Sequence, residues 1–160
     1  MEPRTDHSAA PTLAEVRAVA TQCTCFALRR ITRRVTQRYD ELLAPAGIRI
    51  TQFTLLGKLH APEQLTVTAL AERLDMDRTT LTRNLQPLIE RKLVAVVQGP
   101  DARSRTVTLT QKGRQTFQRA LPFWRQAQQD VRTKLGEDGA GRLHEVLRTS
   151  LQSLSAEQGS

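Results

Sequence analysis

Between Asp77 and Arg83 the chain reads DRTTLTR, and between Asp101 and Arg105 it reads DARSR. Neither stretch has the make-up of a covalent or proton-transfer centre. Arginine forks onto guanine O6 and N7, and threonine bonds a base edge or touches a thymine methyl. Arg78, Thr79, Thr80, Thr82 and Arg83 therefore suit base edges in a major groove, provided they open a helix. Asp101, Arg103 and Arg105 put arginine at a hairpin tip, and arginine fits a minor groove. Two arginines and three threonines are unremarkable on any surface. The elements that carry them give them meaning.

Those elements are legible from spacing. Thr12 to Ala44 holds no Gly and no Pro, with apolar residues from Leu13 and Val16 to Tyr39 and Leu42 in steps of three and four. That predicts one long amphipathic helix, ended by Pro45 and Gly47. Thr51 is the expected N-cap of a second helix that stops before Pro62. Gln64–Thr66 predicts a short strand, and Thr66 or Thr68 caps a helix ending near Leu74. Asp77 is placed to accept the free N–H of Thr79 or Thr80 at the start of the next helix, which runs toward Arg91 with Pro87 inside it. On that helix Leu81, Leu85 and Leu88/Ile89 form a stripe facing Leu70 and Leu74. Leu93–Val97 and Thr106–Thr110 flank GPDARSR as a hairpin. Thr110 opens a helix to about Leu135, Gly136, Gly139 and Gly141 mark a break, and RLHEVLRTSLQSL forms the last helix. The fold expected is mainly α with a small β-hairpin wing, a winged helix-turn-helix lobe plus a helical dimerisation region.

Charge agrees with a polyanionic partner. The net charge is +8 over 160 residues. Six arginines and no acid lie between Glu15 and Asp40, and nine Lys/Arg face five Asp/Glu from Thr66 to Arg114, whereas the chain after Gln115 is nearly neutral. No apolar run reaches the ~20 residues of a membrane span. MEPRTDHSAAPT is acidic and lacks the apolar core of a signal peptide. A cytoplasmic protein with reduced thiols is expected, with no membrane partner. No glycine-rich phosphate loop, nucleophile elbow or close acid pair points to an enzyme. His7, His60 and His144 are isolated, so no metal and no cofactor are expected.

The segments LAERLDMDRTTLTRNLQPLIERKLV and DARSRTVTLTQKG resemble the winged helix-turn-helix of the MarR family of bacterial transcription regulators. The D-x-R-x-R wing followed by LT-x-x-G is the most specific part. The resemblance implies a homodimer whose terminal helices interleave and whose two lobes read a palindromic operator in double-stranded DNA. Residues 1–11, polar and proline-flanked, are expected to form a loose arm, and the resemblance implies a single domain at 12–160, with dimerisation helices at 12–47 and 111–155 around a DNA-binding lobe at 48–110. It also implies that Arg78 to Arg83 form the recognition helix and Arg103 enters the minor groove, with Asp101 bracing it and Arg105 near phosphate. The family's usual glycine between recognition helix and strand is Lys92 here, where a positive φ would cost lysine more than glycine. Dimerisation follows independently, because Val16–Leu42 and the stripe Phe117, Leu121, Trp124, Val131 and Leu135 exceed what one lobe covers.

Two signals are open. Cys25-Phe26-Ala27-Leu28 is similar to the reactive-cysteine segment of the family's organic-hydroperoxide-sensing branch, in which Tyr39 matches a tyrosine that hydrogen-bonds the thiol. A second expected tyrosine is Ile50, and Arg29 replaces an aromatic. Cys23 and Cys25 point about 200° apart on one helix, against an internal disulfide, and both also suit small buried positions. The other signal is the small-molecule aromatic effector that the resemblance implies, for which Arg29, Arg30, Arg33 and His60 are candidate carboxylate partners. The reading as a whole is a dimeric repressor released by effector or oxidant. Its alternatives are a sequence-tolerant architectural DNA binder and a winged-helix protein-interaction module.

Overall fold

The computed structural model describes residues 10–60, 65–99 and 104–156. The chain divides into two units, residues 1–37 and 38–160.

In the first unit, Thr12 starts helix α1 (Leu13–Gln22) with a reciprocal cap. Its Oγ1 accepts the Glu15 N–H at 3.3 Å, and the Glu15 carboxylate accepts the Thr12 N–H at 2.7 Å. The single helix predicted from Thr12 is broken at Cys23, whose ψ of 107° is extended. Helix α2 (Thr24–Leu43) then restarts, and the Cys23 Sγ accepts the Phe26 N–H at 3.4 Å. The thiol thus takes up one of the N–H groups that a new helix leaves without a backbone partner. Neither Gly nor Pro marks this break, so the residues gave no warning of it.

In the second unit the end of α2 buries Tyr39 and Leu43. A 3-10 turn at Ala44–Ala46 follows, closed by Gly47 at φ +67°, whose N–H reaches the Ala44 carbonyl at 2.8 Å. Helix α3 spans Ile50–Leu59, so it starts before the predicted cap Thr51. Asp40 decides this from ten residues away, its Oδ1 accepting the Ile50 N–H at 2.7 Å. Phe53, on the inner face of α3, stacks on Phe117 at 4.8 Å and Trp124 at 5.8 Å.

Strand β1 (Leu65–Thr66) leads into α4 (Val67–Arg73), which Thr66 caps through the Ala69 N–H at 3.1 Å. Helix α5 (Arg78–Glu90), strands β2 (Val94–Gln98) and β3 (Arg105–Leu109), α6 (Gln111–Leu135) and α7 (Glu137–Ala156) complete the order. The strands form one antiparallel sheet, β1-β3-β2. Leu56, Leu70, Leu81, Leu88, Leu93 and Val107 are fully buried between helices and sheet, each contributing about 1.5–3 kcal/mol by leaving water. Of the three glycines expected to break the C-terminal helices, only Gly136 does so, at φ +75°. Gly139 and Gly141 lie inside α7, which starts earlier than RLHEV because Glu137 and Asp138 suit the positive end of a helix.

Candidate nucleic-acid interface

The turn between α4 and α5 is tight. Asp75 takes the left-handed conformation at φ +52°, which aspartate tolerates better than most residues. Asp77 then caps α5 as expected. Its Oδ1 accepts the Thr80 N–H at 2.8 Å and its Oδ2 the Thr80 hydroxyl at 2.6 Å. These two bonds, hydroxyl first, hold the Asp77 carboxyl below the usual carboxylate range.

From this start α5 divides cleanly. Leu81, Leu85 and Leu88 are buried, with Ile89 half-buried, against a core that includes Leu70. Arg78, Thr79, Thr80, Thr82 and Arg83 are all exposed on the other side. The Thr82 hydroxyl donates to the Arg78 carbonyl at 2.8 Å. Neither Arg78 nor Arg83 makes an ion pair among the described residues, so both guanidinium groups are free for an external anion or base edge.

The strands bring a third cation to the same place. In β2–β3 pairing, Gln98 lies opposite Arg105 and Val97 opposite Thr106. Arg105 is exposed. With Arg78 and Thr82 it borders an open groove of about 410 Å³, floored by Val67, Leu85, Ile89 and Val96. That floor was missed in the sequence, since only the packing of α4, α5 and β2 brings those residues together. Asp101 and Arg103 lie outside the described residues.

The junction that positions the strands is strained where the sequence flagged it. Lys92 sits at φ +58°. Its carbonyl accepts the Thr110 hydroxyl at 2.8 Å, and the Thr110 Oγ1 in turn accepts the Gly113 N–H at 3.0 Å, capping α6. Gly113 explains the LT-x-x-G spacing, because a Cβ there would stand 2.0 Å from the Leu93 carbonyl oxygen.

The candidate sensor residues fall in both units of the chain. Cys25 is exposed, and Cys23 is half-buried as the cap of α2. Tyr39 is buried, burial pushes its hydroxyl upward in pKa, and that hydroxyl bonds the Gln128 side chain. Arg29, Arg30 and Arg33 are exposed on α2, and the Arg30 guanidinium lies 5.6 Å over the Phe26 ring. His60 is exposed, its ring 5.3 Å from that of Phe117. Among the described residues no group of His, Cys, Asp or Glu could hold a metal ion, and no helix is long and apolar enough to cross a membrane.

A family model described as a helix-turn-helix domain matches residues 42–97. No curated protein sequence matches the chain significantly. Among solved structures, the M. tuberculosis transcriptional regulator MosR in complex with DNA is 37% identical, with a TM-score of 0.76 over 84% of this chain and 97% of that one. The transcriptional repressor CouR bound to a 23-mer DNA duplex is 28% identical, with a TM-score of 0.74 over 89% of this chain and 99% of that one. CouR bound to p-coumaroyl-CoA is 26% identical, with a TM-score of 0.75 over 83% and 94%.

Proposed function

The chain belongs to the MarR family of winged helix-turn-helix transcriptional regulators, and from that premise we propose that it is a homodimeric repressor of a palindromic operator. The observation that carries this reading is the exposed row Arg78, Thr79, Thr80, Thr82 and Arg83 on a helix whose opposite stripe is buried, with Arg105 on the neighbouring strand bordering the same groove. In the proposed complex the start of α5 lies in the major groove. Arg103 reaches the minor groove, Asp101 braces it, and Arg105 meets phosphate. A dimer with twice the +8 charge of one chain spans half-sites about 34 Å apart.

The dimer is supported by apolar surface left open at both ends of the chain. Leu13, Val16 and Val19 on α1, and Val146, Leu147, Leu151 and Leu154 on α7, are exposed. A small-molecule aromatic effector or oxidation of Cys25 releases the operator in this reading. CouR, a relative bound to p-coumaroyl-CoA, supports the effector, with Arg29, Arg30 and Arg33 and, separately, His60 as candidate carboxylate partners. The exposure of Cys25 supports the oxidant, with Cys23 and Tyr39 as accessory groups.

Fluorescence anisotropy on the protein's own upstream DNA, with excess random duplex, tests the whole reading. Binding should be specific and weaken steeply with salt. Arg83→Ala should abolish discrimination at defined base pairs, at about 1–3 kcal/mol for the lost contact. Uniform weakening on all sequences would instead favour an architectural binder. Loss of binding with cumene hydroperoxide that is absent in Cys25→Ser would select the oxidant, and indifference would select the effector.

A further inference from the structure

We propose that Thr80 and Thr82 read DNA through their methyl groups and not as hydrogen-bond donors, so that both positions select A·T pairs. This rests on the reading of the chain as an operator-binding regulator.

A threonine hydroxyl has one proton to give. That of Thr80 is committed to Asp77 Oδ2 at 2.6 Å, while the same carboxylate holds the Thr80 N–H at 2.8 Å. A bond to an ionised acceptor is about twice as strong as a neutral one, and the depressed pKa of Asp77 keeps that acceptor ionised. The Thr82 proton is committed to the Arg78 carbonyl at 2.8 Å. Both side chains are nevertheless exposed on the reading face, and Thr82 borders the groove beside Arg78 and Arg105. What each has left to offer a base edge is a methyl group and the lone pairs of its oxygen.

The major groove discriminates strongly against such a group. In a G·C pair guanine presents only acceptors, N7 and O6, which repel an oxygen that has no proton to share, and cytosine adds an N4 donor but no methyl group. Thymine presents its 5-methyl group and adenine its N6 amino donor, so an A·T pair offers both contacts that a committed threonine can make. Donation to base acceptors then falls to Arg78 and Arg83, which suit guanine. Thr79 provides the contrast within the same turn, since its hydroxyl makes no hydrogen bond among the described residues. It alone of the three threonines keeps a donor for DNA.

The test uses the full chain and a duplex enriched from a random pool, with each thymine replaced in turn by deoxyuridine, which removes only the 5-methyl group. Anisotropy on wild-type protein should show one or two positions per half-site where uridine weakens binding about fourfold, the worth of one buried methyl-sized group. Thr80→Ser or Thr82→Ser, which keep the hydroxyl and remove the methyl, should erase the penalty at one position each. Thr80→Val and Thr82→Val, which do the reverse, should keep the uridine penalty whatever affinity the lost oxygen costs. Uridine tolerated at every position overturns the proposal, as do valine variants that lose the uridine penalty while the serine ones keep it. A wild-type protein that binds all duplexes alike overturns it together with the operator reading, whereas discrimination without methyl dependence overturns it alone.

Discussion

Helices α5 and α7 are both amphipathic, yet their apolar stripes meet opposite fates. Leu81, Leu85 and Leu88 on α5 are 0%, 2% and 0% exposed, whereas Val146, Leu147, Leu151 and Leu154 on α7 are 59%, 43%, 58% and 65% exposed. The winged lobe supplies enough surrounding structure to cover the apolar stripe of α5. Helix α7 packs on α6 near its start, where Ala140 is buried, and then outruns every neighbour in its own unit. Leucine spacing alone is the same in both cases. The stripe of α5 is satisfied within the chain, while an open stripe of this length on α7 suits the proposed dimer.

That contrast can be broken most severely at Leu88. Leu88→Ala should destabilise the lobe by about 2–5 kcal/mol, because the site is sealed and leaves a cavity, as read by urea denaturation. Leu151→Asp should leave the lobe folded by circular dichroism but shift sedimentation toward monomer. Each buried leucine is worth about 1.5–3 kcal/mol and a two-fold interface loses it twice. An unchanged sedimentation coefficient would mean that α7 is not part of the proposed dimer. Lys92→Gly should raise lobe stability by up to about 1 kcal/mol, since glycine adopts the left-handed conformation without a Cβ clash but loses more backbone entropy. A lowered melting temperature would show that the lysine side chain compensates the strain.

The smallest effect expected is acidic. Asp130 on α6 accepts from Arg38 at 2.7 and 3.0 Å and from Lys134 at 2.9 Å. The Arg38 bonds, ahead of that from Lys134, hold its carboxyl far below the usual carboxylate range. A depressed folded-state pKa contributes stability that is present above the unfolded pKa of about 3.9 and lost as pH falls below it. The melting temperature of wild type should therefore drop more between neutral pH and pH of about 3 than that of Asp130→Asn. Parallel curves would remove the pair from the acid response.

Much of the winged lobe was legible because its signals are local. Thr66, Asp77 and Thr110 cap the helices they precede, each through a bond spanning three residues. The strain at Lys92 was also anticipated, from the junction it occupies. Boundaries failed where a distant or unmarked partner decides them. Asp40 moves the start of α3 to Ile50, and Cys23 breaks a helix that holds neither glycine nor proline. The Arg38–Asp130 pair joins residues 92 apart, with no spacing to announce it.

By itself, then, the sequence determined the order of helices and strands apart from the break at Cys23, the caps of α4, α5 and α6, the polar row of α5 and the basic charge around it. Each of these follows from hydrogen bonds or periodicities within a few residues. Only the tertiary structure decided which amphipathic stripes the chain covers itself, how Arg105 comes to border the groove of Arg78 and Thr82, and which acceptors take the threonine protons. The physical reason is that burial is set by what packs from elsewhere in the chain, and a hydroxyl has one proton whose acceptor only three-dimensional geometry selects.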